Sequence, residues 1–95
     1  MYRIIDMIEF TEGWLRHYPD KQARYGEGLL VILDPEDTAK GFAECATQAE
    51  FRALRAQPVR LAIDFVERNP AGTVGLFFRG ARREEIMPEA TVTVS

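Results

Sequence analysis

Residues 59–78 read VRLAIDFVERNPAGTVGLFF, and this stretch predicts a β-hairpin. Apolar and polar residues alternate from Val59 to Phe65, which is the pattern of a strand with one buried face. The segment Asn69-Pro70-Ala71-Gly72 suits a tight turn, and the alternation resumes at Val74. This hairpin is the clearest local structure that the sequence predicts.

The hairpin has two plausible registers. A three-residue loop would pair Phe65 with Phe77 and place Ile63 opposite Arg79. A four-residue loop pairs Phe65 with Leu76 and makes one face wholly apolar. A one-residue slip moves every side chain of a strand to the other face, so burial favours the second register. Its apolar face comprises Leu61, Ile63, Phe65, Val74, Leu76 and Phe78. Phe77 is then predicted to point away from the main core.

Three further elements are predicted before residue 34. The loose alternation from Tyr2 to Phe10 favours a strand, although a helix over the same residues stays open. A short helix near Thr11–Tyr18 is expected next, followed by a loop. The continuous apolar run Leu29–Leu33 predicts a strand that is buried on both faces. The side chains expected on one side of the first strand are Tyr2, Ile4, Ile8 and Phe10.

The middle of the chain allows two interpretations. Asp34-Pro35 has the composition of a helix start. In one interpretation a helix continues with apolar residues at helical spacing, namely Ala39, Phe42, Ala43 and Ala46. In the other, Leu29–Leu33 and Gly41–Ala46 form a hairpin. Both keep a helix over residues 48–56, since Thr47-Gln48-Ala49-Glu50 fits a capping box.

The predicted fold class is α+β. Thr91–Val94 has high β-propensity and is expected to add an edge strand. The whole chain, residues 1–95, is predicted to form one domain. Its architecture is an antiparallel sheet of four or five strands with one or two helices packed on one face.

Composition limits the class of protein. The chain has 95 residues, of which 46% are hydrophobic and 28% are charged, so disorder is excluded. Cys45 is the single cysteine, which excludes a disulfide scaffold. No apolar run is long enough to cross a membrane, and Asp6 falls where a signal peptide needs an apolar core. A cytoplasmic protein without membrane contact is expected.

Charge is distributed unevenly along the chain. Residues 1–50 carry a net charge of −5 and residues 51–95 a net charge of +2, which together give −3. Proteins held to nucleic acid by phosphate contacts usually have a high domain pI. The overall acidity therefore disfavours nucleic acid as the partner.

Residue types needed for catalysis are scarce. Ser95 is the only serine and His17 the only histidine. Cys45 lies among small residues on a face predicted to be buried, where a thiol is a packing group. One histidine and one cysteine do not make an ordinary zinc site, and no glycine-rich phosphate loop is present. We therefore expect no catalytic residues, no metal and no cofactor.

Two candidate binding surfaces remain. Trp and Tyr dominate interface hot spots, and Arg is enriched there as well. In the alternative interpretation, Trp14 belongs to the core and the N-terminal segment covers Phe77. The first surface comprises Trp14, His17, Tyr18 and Tyr25; the second comprises Phe77, Arg79, Arg82 and Arg83, with Arg60 beside them.

The leading functional hypothesis is a non-catalytic protein-binding module that regulates or inhibits a partner protein. In size and composition the chain is similar to compact phage and mobile-element inhibitors of host machinery, such as anti-CRISPR proteins, and to immunity proteins. No motif identifies a family. One alternative is a nucleic-acid-associated protein that uses Phe77 and the neighbouring arginines. Another is a small enzyme whose site forms across a homodimer paired through the edge strand Thr91–Val94. That site would combine His17 with an acid among Asp34, Glu36 and Asp37.

Overall fold

A computed structural model describes residues 1–52, 57–86 and 90–95. In these ranges the chain forms one antiparallel sheet of seven strands and three short helices. The strands are β1 (Tyr2–Phe10), β2 (Gly28–Leu33), β3 (Gln48–Arg52), β4 (Val59–Ala62), β5 (Phe65–Arg68), β6 (Val74–Arg79) and β7 (Thr91–Val94). The helices are α1 (Glu12–Leu15), α2 (Pro19–Arg24) and α3 (Pro35–Thr38), and a 3₁₀ turn covers Arg83–Glu85. Within the same ranges, a helix with the length and apolar character to cross a membrane is not found.

The sheet curls so that its two outer strands meet at a corner. Its strand order is β4-β3-β7-β1-β2-β6-β5, yet β4 and β5 are consecutive in the chain. Only Ile63 and Asp64 separate them, a span of at most about 11 Å. The Ile63 N–H donates to the Thr47 carbonyl at 2.8 Å, and the Asp64 N–H donates to the Phe77 carbonyl at 2.8 Å. This corner therefore bonds to both halves of the sheet and closes its concave side.

A bulge in β1 turns the first strand over. Ile4 pairs with Leu33 and Asp6 pairs with Ile32, so one extra residue, Ile5, is accommodated in β1. Because strand side chains alternate, the extra residue moves everything after it to the opposite face. The strand prediction for residues 2–10 is confirmed, but the expected common face is wrong. Tyr2 and Ile4 pack into the concave core, whereas Phe10 packs on the convex face.

The sheet buries apolar side chains on both of its faces. The concave core draws on β2, β3, β6 and β7, and its fully buried members include Leu29, Val31, Leu33, Val74, Leu76, Phe78 and Val92. A smaller cluster on the convex face consists of Phe10, Leu15, Tyr25, Leu30 and Phe77. Strand β2 contributes to both clusters, which confirms the prediction that this strand is buried on both faces. The second cluster is sealed by the segment that contains α1 and α2.

The predicted fold class is wrong in its sheet and in its helices. The sheet has seven strands in the described ranges, not four or five, and the helices are single turns or little more. The helix start at Asp34-Pro35 is confirmed, because the Asp34 carboxylate accepts from the Glu36 N–H at 2.9 Å. However, α3 ends at Thr38, and residues 41–46 form neither the predicted helix nor the alternative strand.

The predicted helix over residues 48–56 is wrong where the structure describes it. Residues 48–52 form strand β3, which pairs with β4 on one side and β7 on the other. Ala49 and Phe51 are buried between more exposed neighbours, so the segment follows a two-residue period. Two ladders of backbone hydrogen bonds outweigh the local capping-box pattern. The remainder of the predicted helix, residues 53–56, lies outside the described ranges.

A hairpin of β5 and β6 is present, but residues 59–62, predicted to begin its first strand, form β4 and pair with β3 instead. The register of the hairpin is the one that burial was expected to reject. Phe65 pairs with Phe77 and Val66 with Leu76. The alternation slips by one residue at the Ile63–Asp64 corner, so Ile63 faces the concave core while Phe65 faces the convex cluster. Strand β5 begins at Phe65, so Ile63 lies outside it and is not paired with Arg79. The charge clash that disfavoured this register therefore never arises.

Candidate protein-binding surface

Stacked aromatic rings form the base of the candidate surface on the convex face. The Phe10 and Tyr25 rings lie 4.6 Å apart, and the Phe65 and Phe77 rings lie 5.0 Å apart, both nearly parallel. The Tyr25 and Phe65 rings join these two pairs at 5.8 Å. Offset stacking of this kind stabilises the cluster beyond its burial alone. The rings of Phe10, Tyr25, Phe65 and Phe77 thus form a packed layer beneath the α1–α2 segment, which we call the platform.

Two residues predicted to bind a partner belong to this platform instead. Phe77 does point away from the larger core, as predicted, but it is completely buried, and Tyr25 is 6% exposed. The chain between β1 and β2 folds over Phe77, which is the alternative that the sequence left open. Phe77 and Tyr25 can therefore support a binding surface but do not form it.

Trp14 and Tyr18 form an exposed pair on top of the platform, which we call the aromatic ledge. Their rings stack with centroids 4.3 Å apart, and the residues are 37% and 46% exposed. The Trp14 ring also lies 5.2 Å from the Phe10 ring below it. The helix predicted near Thr11–Tyr18 is present only over Glu12–Leu15, so Tyr18 lies beyond its end, yet the two rings still meet.

Local sequence explains the shape of the ledge. The Thr11 hydroxyl caps α1 by accepting from the Trp14 N–H at 3.3 Å. The Tyr18 N–H then donates to the Leu15 carbonyl at 3.0 Å, which continues the turn as far as Tyr18. Pro19 begins α2 directly afterwards, as its fixed φ allows. The two aromatic side chains are thus held at a corner between two short helices.

A hydrogen-bonded group ties α2 to the sheet. The Tyr25 hydroxyl donates to Glu67 Oε1 at 2.9 Å, and Arg24 Nη2 lies 2.5 Å from Glu67 Oε2. Burial raises the pKa of Tyr25 above its ordinary value, and the hydrogen bond to Glu67 adds to this effect. Because Glu67 belongs to β5, this group fastens the helical segment to the far edge of the sheet.

The predicted arginines are not gathered into one surface. Arg79 pairs with Asp64 at 2.8 Å, and its guanidinium lies 5.6 Å from the Phe77 ring centroid. Arg60 pairs with Glu50 at 2.9 Å, on the β3–β4 part of the sheet. These two cations thus serve different parts of the sheet.

Arg82 and Arg83 lie beside the end of β1. The Arg83 guanidinium donates to the Met7 carbonyl, and Arg82 lines a neighbouring cleft. His17 is exposed in the turn between α1 and α2. Trp14, His17 and Tyr18 therefore stay together, whereas Arg60 and Arg79 lie apart from each other and from the neighbouring Arg82 and Arg83.

The cleft next to the ledge was not predicted from the sequence. It has a volume of about 410 Å³ and opens where β1 ends and β2 begins. Glu9, Glu12, Glu27 and Arg82 supply its charged groups. The one available signal was Glu9, a carboxylate two residues after the core-facing Met7 of β1. The other charged groups come from the start of α1 and from two separate loops, which no local pattern connects.

The structure gathers little chemistry for catalysis. Among residues 1–52, 57–86 and 90–95, groups of three or more His, Cys, Asp or Glu side chains suited to a metal ion are not found. Cys45 is exposed, contrary to the predicted packing role, because the helix that would have buried it does not form. Asp34 and Asp37 bind Arg3 near the start of β1, whereas His17 follows the far end of that strand.

The edge on which the homodimeric alternatives depended is not free. Strand β7, predicted to be an edge strand, lies inside the sheet and pairs with both β1 and β3. Its backbone is thus already used within the chain where those ladders run. The strand itself was predicted from the sequence, but its position inside the sheet was not.

Comparison with known proteins identifies no relative: no family model, curated protein or solved structure matches the chain. Functional inference therefore rests on the geometry of this chain alone. The aromatic ledge and the adjoining charged cleft are the features on which it depends.

Proposed function

We propose that this protein is a non-catalytic binding module that regulates or inhibits a partner protein through the aromatic ledge. The observation that carries the proposal is the stacked and exposed pair of Trp14 and Tyr18. Trp and Tyr are the residue types most enriched among interface hot spots. A small domain that leaves its only Trp partly in solvent forgoes stabilisation that the core could have used.

The energetics of the ledge suit binding. Covering the exposed fractions of Trp14 and Tyr18 would contribute about 3–5 kcal/mol, from about 25 cal/mol per Å² and about 150–250 Å² per aromatic side chain. Ordering side chains at an interface normally costs about 0.5–1.5 kcal/mol each. Here the two rings already stack on each other and pack against Phe10 in the free protein. Much of the free-energy cost of ordering them is therefore incurred before a partner binds.

The cellular role is the less specific part of the proposal. A regulator or inhibitor of the kind encoded by phages and mobile elements is supported by the size and acidity of the chain. A cytoplasmic location is supported by Cys45, the only cysteine, which the structure leaves exposed as a free thiol.

The nucleic-acid alternative gains no support from the surface geometry. It required Phe77 to stack on a base, and Phe77 is completely buried. Arg79, the nearest arginine, already pairs with Asp64. Binding to a partner protein therefore remains the proposed function.

The test compares two exposed apolar residues. Trp14→Ala removes the centre of the ledge, and Ile5→Ala is the matched control because Ile5 is 52% exposed at the β1 bulge, outside the ledge. Proteins captured from the native host would be purified, and their affinities for the wild type and both variants would be measured by calorimetry. We expect at least tenfold weaker binding for Trp14→Ala, about 1.4 kcal/mol, and less than twofold for Ile5→Ala.

Unchanged folding must accompany that result. Far-UV circular dichroism of both variants should match that of the wild type. A partner that binds all three proteins with equal affinity would show that the ledge is not the binding surface.

A further inference from the structure

We infer that the partner offers a basic segment, with a lysine or arginine side chain that enters the cleft beside the aromatic ledge and an apolar neighbour that packs on the ledge. This inference rests on the proposed function and deepens it by naming the chemistry of the partner.

The cleft and the ledge adjoin each other. Gly13 lines the cleft, and Trp14 is the next residue along the chain. Phe10 also lines the cleft, while its ring supports Trp14 at 5.2 Å. A short segment of a partner could therefore contact both features with neighbouring side chains.

Two carboxylates of the cleft are left to interact with a partner. Glu12 pairs with Arg16 at 2.7 Å. Within the part of the chain that the structure describes, ion pairs are not found for Glu9 or Glu27. Glu9 is half-buried, which makes its interaction with an incoming cation stronger than at a fully exposed site, whereas Glu27 is exposed.

Positive groups nearby balance only part of this charge. Arg82 is the cation in the lining of the cleft, against three glutamates, of which Glu12 is already paired with Arg16. Arg83 donates to the Met7 carbonyl and lines an adjoining cleft together with Glu9. The lining therefore keeps a net negative charge, and the acidic first half of the chain reinforces it.

The dimensions and the hydrogen-bond acceptors of the cleft fit a long cationic side chain. Its volume of about 410 Å³ lies in the range of ligand pockets, about 300–1,000 Å³. An ammonium or guanidinium group donates charge-assisted hydrogen bonds to carboxylates, and its aliphatic stem can lie along apolar surface. An acidic partner segment would instead bring like charges together and would be rejected.

The experiment uses two synthetic peptides as probes. One alternates leucine with lysine, and the other replaces every lysine with glutamate. Binding is followed by NMR through the indole N–H of Trp14, which gives a single resolved signal because the chain has one Trp. We expect the lysine peptide to bind the wild type at least about fivefold more tightly than the glutamate peptide, with the preference shrinking in high salt.

Charge-neutral variants test the cleft itself. In Glu9→Gln/Glu27→Gln the preference should fall below about twofold. The matched control, Glu36→Gln/Glu44→Gln, removes the same charge from residues outside the cleft lining and should keep the wild-type preference.

The outcomes separate the two proposals. Equal binding of both peptides, or a preference that survives in Glu9→Gln/Glu27→Gln, would overturn the basic-segment inference while leaving the ledge as a binding surface. If neither peptide moves the Trp14 signal, the basic-segment inference is overturned, while the ledge itself is refuted only by a captured partner that binds the wild type and Trp14→Ala equally.

Discussion

Replacing Phe77 with alanine should destabilise the protein as strongly as a core substitution. Phe77 is completely buried, although it lies on the convex face. Its ring stacks on Phe65 at 5.0 Å and lies 5.6 Å from the Tyr25 ring. Truncating a fully buried Phe to Ala costs about 3–5 kcal/mol, from lost transfer energy and from the cavity that is left. If Phe77 were a surface residue, the cost would be within about 0.5 kcal/mol.

The neighbouring Phe78 provides a matched control. It is 1% exposed and belongs to the concave core, so Phe78→Ala should cost a similar free energy of unfolding. Only Phe77→Ala removes support from beneath Phe10, on which Trp14 rests. The two variants should therefore differ in the fluorescence of folded Trp14, with a red shift in Phe77→Ala and little change in Phe78→Ala.

Urea unfolding followed by circular dichroism gives the free energies. Small proteins have slopes of about 1–3 kcal/mol per molar urea, so a loss of about 4 kcal/mol lowers the midpoint by about 1.3–4 M. A loss below about 1 kcal/mol in Phe77→Ala would refute the conclusion that the α1–α2 segment seals the convex cluster. Equal fluorescence shifts in the two variants would refute the separation of the two clusters.

Three further predictions concern single positions. Gly28→Ala should cost at least about 2 kcal/mol in urea unfolding, because a Cβ there would lie 2.5 Å from the Phe78 carbonyl oxygen. Tyr25→Phe should lower stability by about 1 kcal/mol at neutral pH, since the hydroxyl bond to Glu67 is lost. The raised pKa of Tyr25 makes its contribution complete below about pH 10 and lost above it, so thermal melts of Tyr25→Phe should fall less steeply in alkali. Hydrogen bonds from Arg60 and Arg52 lower the pKa of Glu50, so its contribution is present above about pH 4.3 and lost as the pH falls; acid titration of Glu50→Gln should show a smaller loss.

Elements set by local pattern were predictable from the sequence. The strands over Tyr2–Phe10, Leu29–Leu33 and Thr91–Val94 are present, as is the Asp34 cap of α3. In each case the residues themselves decide the outcome, through alternation, a continuous apolar run or a capping carboxylate. Distant strands are still needed to pair with these segments, but the local pattern is enough to identify them.

Elements decided by distant pairing were not predictable. Residues 48–52 carry a plausible helix start, yet they form β3 because strands from residues 59–62 and 91–94 bond to both of its edges. The position of β7 inside the sheet has the same origin. A single sequence does not contain the identity of such partners in any local period.

The candidate surface was likewise predictable only in part. Trp14 and Tyr18 are four residues apart, and that spacing was enough to place them together. The burial of Phe77 depends on a segment more than fifty residues earlier in the chain, and Glu9 meets Glu27 only after β1 and β2 pair. The ledge follows from helical geometry, whereas its platform and the cleft follow from the tertiary fold.

Two irregularities of the sheet create the platform on which the ledge depends. The extra residue at Ile5 places Phe10 on the convex face, and the slip at Ile63–Asp64 places Phe65 there as well. With regular alternation in both strands, these two rings would face the concave core and would leave Phe77 without its stacking neighbours. Trp14 would then have no aromatic support beneath it. The bulge and the corner, which caused the errors of register and facing, are therefore the features that build the proposed binding surface.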